Sequence, residues 1–86
     1  MEIIYSPTAK NELEYWRKSG NKSIQKKISA LLLSIIETPF EGIGKPEPLK
    51  HEYAGCWSRR IDREHRIVYE VSENIVNIYA FKGHYK

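Results

Sequence analysis

A single cysteine, Cys56, stands in 86 residues, so neither an internal disulfide framework nor a cysteine-based zinc site can be built within one chain. That suits a reducing compartment. Long apolar runs are also missing. Nothing reaches the roughly 20 residues that a membrane-spanning helix needs, and the opening stretch Met1-Glu2-Ile3-Ile4-Tyr5-Ser6-Pro7 has neither a basic leader nor an extended apolar segment. A cytosolic protein with no membrane attachment is expected. The acidic residues do not gather into the Asp/Glu clusters that hold magnesium, and His51, His65 and His84 lack close ligand spacing. The expectation is therefore a protein that works without a metal or any other cofactor. Internal repeats and low-complexity tracts are absent as well.

What is present is an ordinary globular composition, 41% hydrophobic and 29% charged, well away from the signature of disorder. The length allows one domain, residues 1–86, with a single modest core. Fourteen Lys and Arg against eleven Asp and Glu give a net charge of +3 and a pI near 9.0. That balance favours an anionic partner, nucleic acid or an acidic protein, although it also fits a merely solubilising surface.

Along the chain, Met1 to Tyr5 reads as a strand, and Ser6-Pro7 as a helix N-cap followed by proline at the first helical position. Ala9, Leu13 and Trp16 then keep helical spacing to about Ser19, where Gly20 supplies a stop. Asn21 can cap a second helix to about Thr38, with Ile24, Ile28, Leu31, Leu32 and Ile35 on one face and Pro39 ending it. Residues 39 to 50 hold three of the four prolines and two of the five glycines and read as an irregular loop. Three β-rich runs follow, about Cys56 to Ile61, His65 to Val71 and Ile75 to Phe81, with short polar breaks that suit tight hairpins. The order β-α-α-β-β-β predicts an α+β domain, an antiparallel sheet with both N-terminal helices on one face and the other face open. Alternation in the middle strand should turn Ile67, Tyr69 and Val71 toward the helices and Arg66 outward. Of the adjacent Arg59 and Arg60, one must point to each face, and sequence parity leaves open which.

Several residues invite a chemical reading beside a bland one. Glu47 lies between Pro46 and Pro48, which stiffen its backbone, so it is either a preorganised general base or a solvated loop glutamate. Lys50 could bind phosphate or simply be hydrated. Arg66, among strand apolar residues, suits phosphate oxygens bidentately or an ion pair with Glu64 or Glu70. His84 can act as a general acid and Tyr85 can stack on a base, or both can belong to a frayed terminus. His51 and His65 have weaker claims, the second being expected to pack in or beside a strand.

The run Thr38-Pro39-Phe40-Glu41-Gly42, then Gly44-Lys45-Pro46-Glu47-Pro48-Leu49-Lys50-His51, resembles the YoeB family of the RelE/ParE toxin superfamily. Gly55-Cys56-Trp57-Ser58-Arg59-Arg60-Ile61, Glu64-His65-Arg66-Ile67-Val68-Tyr69 and the terminal His84-Tyr85 follow in that family's order and spacing, so the likeness spans essentially the whole chain. The resemblance implies a fold like that of microbial ribonucleases and cleavage of messenger RNA in the ribosomal A site. It implies Glu47 as general base, His84 as general acid, Arg66 as the phosphate-stabilising arginine and Tyr85 as the terminal aromatic. Lys50, Arg60 and Glu64 match positions lining the same site, Glu64 as an orienting group. It further implies a cognate antitoxin with an acidic, disordered, YefM-like tail, a ribosome and messenger RNA as partners, and homodimers. Where the family pattern ends Arg-Tyr-His-Tyr, this chain has Lys82-Gly83-His84-Tyr85-Lys86, and Gly83 is expected to loosen the approach to His84. Two other readings share the composition: a noncatalytic RNA- or ribosome-binding module, and a ParE-like toxin acting on DNA gyrase.

Overall fold

A computed structural model of the protein describes residues 1–83. Strand β1 (Glu2–Tyr5) leads into helix α1 (Pro7–Lys18), and helix α2 (Lys22–Glu37) follows. Both helices start where side-chain oxygens meet their free N–H groups. Ser6 Oγ accepts from the Ala9 amide at 3.0 Å, and Asn21 Oδ1 from the Ile24 amide at 3.1 Å. Between the helices Gly20 takes φ +75°, the left-handed conformation that ends a helix at least cost in glycine. Strands β2 (Glu47–Pro48), β3 (Trp57–Arg60), β4 (Arg66–Ser72) and β5 (Ile75–Ala80) complete the chain, with a single helical turn over His51–Tyr53.

The sheet order is β1-β5-β4-β3-β2. The expected β-α-α-β-β-β order holds, with two refinements. The first strand joins the meander in parallel with β5, Ile3 beside Val76, so the sheet is mixed where a wholly antiparallel one was expected. Residues 39 to 50 also contribute a two-residue edge strand, Glu47 opposite Ser58 and Pro48 opposite Trp57. Hydrophobic alternation reports which face a residue buries on. It does not report which strand lies alongside, and parallel pairing of β1 with β5 is possible because the helices supply the long connection it needs.

The main core lies between the helices and the sheet: Ala9, Trp16, Ile28, Leu31 and Ile35 against Ile67, Tyr69, Val76, Ile78 and Phe81. Phe81 reaches it because the β4–β5 register slips between Val68 and Tyr69, which pair with Ala80 and Ile78 and leave Tyr79 as the extra residue. Such a bulge reverses the alternation beyond it. Ala80 therefore faces away from the helices and Phe81 turns in, fully buried. The second sheet face is less open than alternation suggested, since Leu49, Val68 and Ala80 bury one another there, with Tyr53 and Cys56 packed alongside.

The loop before β2 is fixed by close approach. Gly44 takes φ +81°, and a Cβ there would stand 2.5 Å from Leu31 Cδ2 and 3.2 Å from the Arg60 carbonyl oxygen. Gly44→Ala adds a left-handed penalty of about 1–2 kcal/mol to a clash in a filled core. A melting temperature roughly 10 °C lower is expected, and a drop below about 3 °C would show that the loop yields freely.

Candidate functional site

Pairing in the sheet places three of the expected site residues on the face opposite the helices. Arg60 stands directly across from Arg66, Ser58 across from Val68, and Glu47 across from Ser58. Side chains directly opposite are about 5 Å apart at Cβ, and diagonal neighbours about 7–8 Å. Glu47, Arg60 and Arg66 thus form one short diagonal. Glu47 and Arg60 are exposed. Arg66 points to the expected face but is covered there, 8% exposed, with Nη1 donating to the carbonyls of Asp62 at 3.0 Å and His65 at 3.2 Å. Those carbonyls hold one edge of the guanidinium, as a rigid anion-binding arginine requires.

Like charges directly opposite one another destabilise a sheet, yet among the described residues no carboxylate pairs with either arginine. The ion pair there is Arg17 with Glu14, and His65 Nε2 lies 3.7 Å from the Glu64 carboxylate. Neither Glu64 nor Glu70 neutralises Arg66. Glu70 instead accepts from the Tyr79 hydroxyl at 2.9 Å, a bond that, with some burial, raises the Tyr79 phenol above its ordinary range. Burial, and then the Glu70 charge, raises the Cys56 thiol above its ordinary range.

Lys50 is not brought to this diagonal by register. Running from Glu47 to Lys50, the edge strand moves away from Arg60, by about 10 Å over three residues. Glu64 sits in the β3–β4 turn, its side chain 79% exposed and 3.7 Å from His65 Nε2. That turn is braced by Asp62, whose Oδ1 accepts from the amides of Glu64 at 2.9 Å and His65 at 2.6 Å. Burial opposes the Asp62 charge, but those amides with the His65 and Arg66 charges outweigh it and hold the carboxyl below its usual range. His84 and Tyr85 lie outside the described residues.

An exposed groove runs beside this face, between α2 and the β3–β4 turn. Lys27, Lys45, Arg60 and Arg63 line it around Ile61, and it continues along α2 past Lys26. Among the described residues these cations have no ion-pair partner. The acid on this wall is Asp62, whose Oδ1 is taken by backbone amides.

The chain's relatives share this frame from end to end. A model of the YoeB-like toxin of bacterial type II toxin-antitoxin systems matches residues 5–85. The toxin YoeB of Escherichia coli K12 is 47% identical over 85 residues, 99% of this chain and 100% of that one. The chain belongs to the YoeB toxin family. The YoeB toxin of Streptomyces coelicolor is 39% identical over the same shares. Among solved structures, a YoeB/ParE toxin from Agrobacterium tumefaciens superposes with TM-score 0.94 at 38% identity, covering 99% of this chain and 100% of that one. YoeB in a YoeB-YefM complex from Staphylococcus aureus superposes with TM-score 0.88 at 45% identity, covering 99% and 98%.

Two features of this YoeB family member escaped the sequence. The first is Arg59, 0% exposed, which alternation could only offer as one of a pair. Its Nε donates to Tyr69 Oη at 3.1 Å, Nη1 to Ser34 Oγ at 2.7 Å and the Ile43 carbonyl at 3.1 Å, and Nη2 to the carbonyls of Thr38 at 2.6 Å and Glu41 at 2.9 Å. Burial raises the Tyr69 phenol, against the pull of Arg59, and its hydroxyl donates to the Pro39 carbonyl at 2.6 Å. The second is the strap at residues 81–83, where Glu12 Oε1 accepts from the amides of Phe81 and Lys82 at 2.8 and 3.2 Å. Glu12 falls on the α1 face with Ala9 and Trp16, an acid inside an apolar stripe, and that misfit was the available signal. Gly83 is not loose as expected: its N–H donates to His65 Nδ1 at 3.0 Å and its carbonyl accepts from the Arg66 amide at 3.0 Å.

Proposed function

We propose that this toxin is an endoribonuclease that cuts messenger RNA in the ribosomal A site by general acid and base catalysis without a metal. The observation that carries the reading is the cross-strand pair Arg60 and Arg66, neither in ion-pair contact with a carboxylate among the described residues, with Glu47 diagonal to it. Two arginines opposite one another on neighbouring strands favour an anion near both, and a phosphate diester supplies one.

In this mechanism Glu47 takes the proton of the 2′-hydroxyl, whose oxygen attacks the adjacent phosphorus. Arg66, with Arg60, bears the charge that builds on the non-bridging oxygens. The bond from phosphorus to the 5′-oxygen breaks as His84 delivers a proton to the leaving oxygen, and a 2′,3′-cyclic phosphate remains. Tyr85 would stack on a neighbouring base, and Glu64 orients His65. The cationic groove fits the RNA backbone on the Arg60 side of the cleaved phosphate, and Lys50 would contact it on the other side. An antitoxin with an acidic, disordered, YefM-like tail would compete for the same charge, and a homodimer is the proposed free form. The cytoplasm, where ribosomes are, is the proposed location.

The test is cleavage on programmed ribosomes with end-group analysis. A 2′,3′-cyclic phosphate formed in excess EDTA is expected, with no cutting where the cleaved nucleotide carries 2′-deoxyribose. Loss on chelation with rescue by magnesium would overturn the metal-free chemistry. Arg66→Lys keeps the charge but cannot hold the Asp62 and His65 carbonyls and two phosphate oxygens together. Its cleavage rate is expected to fall tenfold or more, about 1.4 kcal/mol, and a rate within about twofold of the parent would reject the bidentate role.

A further inference from the structure

The C-terminal strap is anchored by the buried Phe81 side chain and fixed further through its peptide groups. The Trp16 indole N–H donates to the Phe81 carbonyl at 2.9 Å, Glu12 takes the amides of Phe81 and Lys82, and Lys82 Nζ lies 3.8 Å from the centre of the Tyr15 ring. These contacts fasten residues 81 and 82 to α1. The last of the described residues, Gly83, crosses over to the sheet. Its carbonyl accepts from the Arg66 amide and its amide donates to His65 Nδ1, at φ +91°, where glycine is favoured. The next residue in the sequence is His84.

The His65 side chain is built for that single bond. Its ring stands edge-on to Trp16, centroids 5.0 Å apart at 75°, and its backbone amide is fixed by Asp62. An imidazole that accepts at Nδ1 carries its proton on Nε2, the atom that faces the Glu64 carboxylate at 3.7 Å. Glu64, His65 and Gly83 therefore follow one another from an exposed acid, through the imidazole, to the peptide before His84. The site's guanidinium is fastened to the same short segment, since Arg66 Nη1 donates to the His65 carbonyl.

We propose that His65 is a positioning residue. By accepting the Gly83 amide it fixes the peptide that precedes His84 in relation to Arg66. This rests on the proposed roles of His84 and Arg66, and it assigns His65 no contact with RNA. Two variants separate the acceptor from the ring. His65→Phe keeps an aromatic edge against Trp16 and has no acceptor. His65→Asn loses the ring but places an amide oxygen close to the position of Nδ1.

The experiment measures cleavage kinetics on ribosomes, growth arrest on induction, melting temperature and hydrogen exchange of the Gly83 amide for the parent and both variants. His65→Phe should exchange Gly83 faster and lower kcat by about 10–100-fold, as a displacement of about 1 Å does, with KM little changed. His65→Asn should recover kcat to within about threefold of the parent and slow the exchange again. Cleavage by His65→Phe within twofold of the parent would overturn the proposal. Equal loss in both variants would also overturn it, because ring packing and not the acceptor would then matter. If the parent arrests growth but cuts no RNA, the ribonuclease reading fails, and arrest lost in His65→Phe and restored in His65→Asn still decides the positioning role.

Discussion

Replacing Glu47 by glutamine is expected to lower RNA cleavage on ribosomes by roughly 10²–10⁴-fold, the range typical of a lost general base, and to leave the fold almost untouched. Both halves follow from where the residue sits. Glu47 is exposed on a two-residue edge strand, and among the described residues it makes no ion pair, so changing it should move stability by no more than about 0.5 kcal/mol. The ladder to β3 runs through the backbone and survives the substitution. Glutamine keeps size and polarity but cannot take a proton at neutral pH. Melting temperature and ribosome binding should match the parent, while cleavage and growth arrest disappear. Binding without cutting separates an enzyme from a noncatalytic module on the same face. Full growth arrest by a folded Glu47→Gln protein that no longer cuts would move the target elsewhere, as a gyrase-directed toxin requires, and cleavage near the parent rate would remove Glu47 from the mechanism.

The elements were legible because local chemistry specifies them. Ser6, Gly20, Asn21 and Pro39 mark helix ends by side-chain capping or backbone restriction, and Ile28, Leu31 and Ile35 keep the period that buries them. Arg66 was legible as a residue of the non-helical face because alternation in β4 leaves the other parity to Ile67 and Tyr69. What stayed hidden depends on register and on contacts distant in sequence. The bulge at Tyr79 reverses parity just before Phe81, and nothing in Tyr79-Ala80-Phe81 signals it. The covering of the second face by Leu49 and Tyr53 requires the chain to fold back after β2. The choice between Arg59 and Arg60 required knowing which parity β3 shares with β4. Resemblance supplied candidate roles for Glu47, Arg60 and Arg66; only the register places those three together and leaves Lys50 at a distance.

Arg59→Met is expected to destabilise the protein by about 3–5 kcal/mol, the largest stability effect of any single change proposed for this chain. Methionine matches arginine in length and flexibility and fills the same channel, so little cavity is created and the loss isolates the guanidinium. Two opposing effects follow. Removing a fully buried cation relieves its desolvation, worth several kcal/mol. Against that, the carbonyls of Thr38, Glu41 and Ile43 and the oxygens of Ser34 and Tyr69 lose their donors together, at about 1–3 kcal/mol for each that stays dry. Several such groups outweigh one relieved ion. Domains of this size hold roughly 0.05–0.15 kcal/mol per residue, so the loss would consume much of the total. Function should fall with it, because residues 38–43 lead directly to Glu47 and their anchor is gone. Arg59→Lys should lie between, since one ammonium reaches only part of the ring of acceptors. Urea unfolding of the three proteins gives the answer: the midpoint should fall in the order Arg, Lys, Met, and a methionine variant within about 0.5 kcal/mol of the parent would mean that water satisfies the loop carbonyls and the buried arginine contributes little to stability.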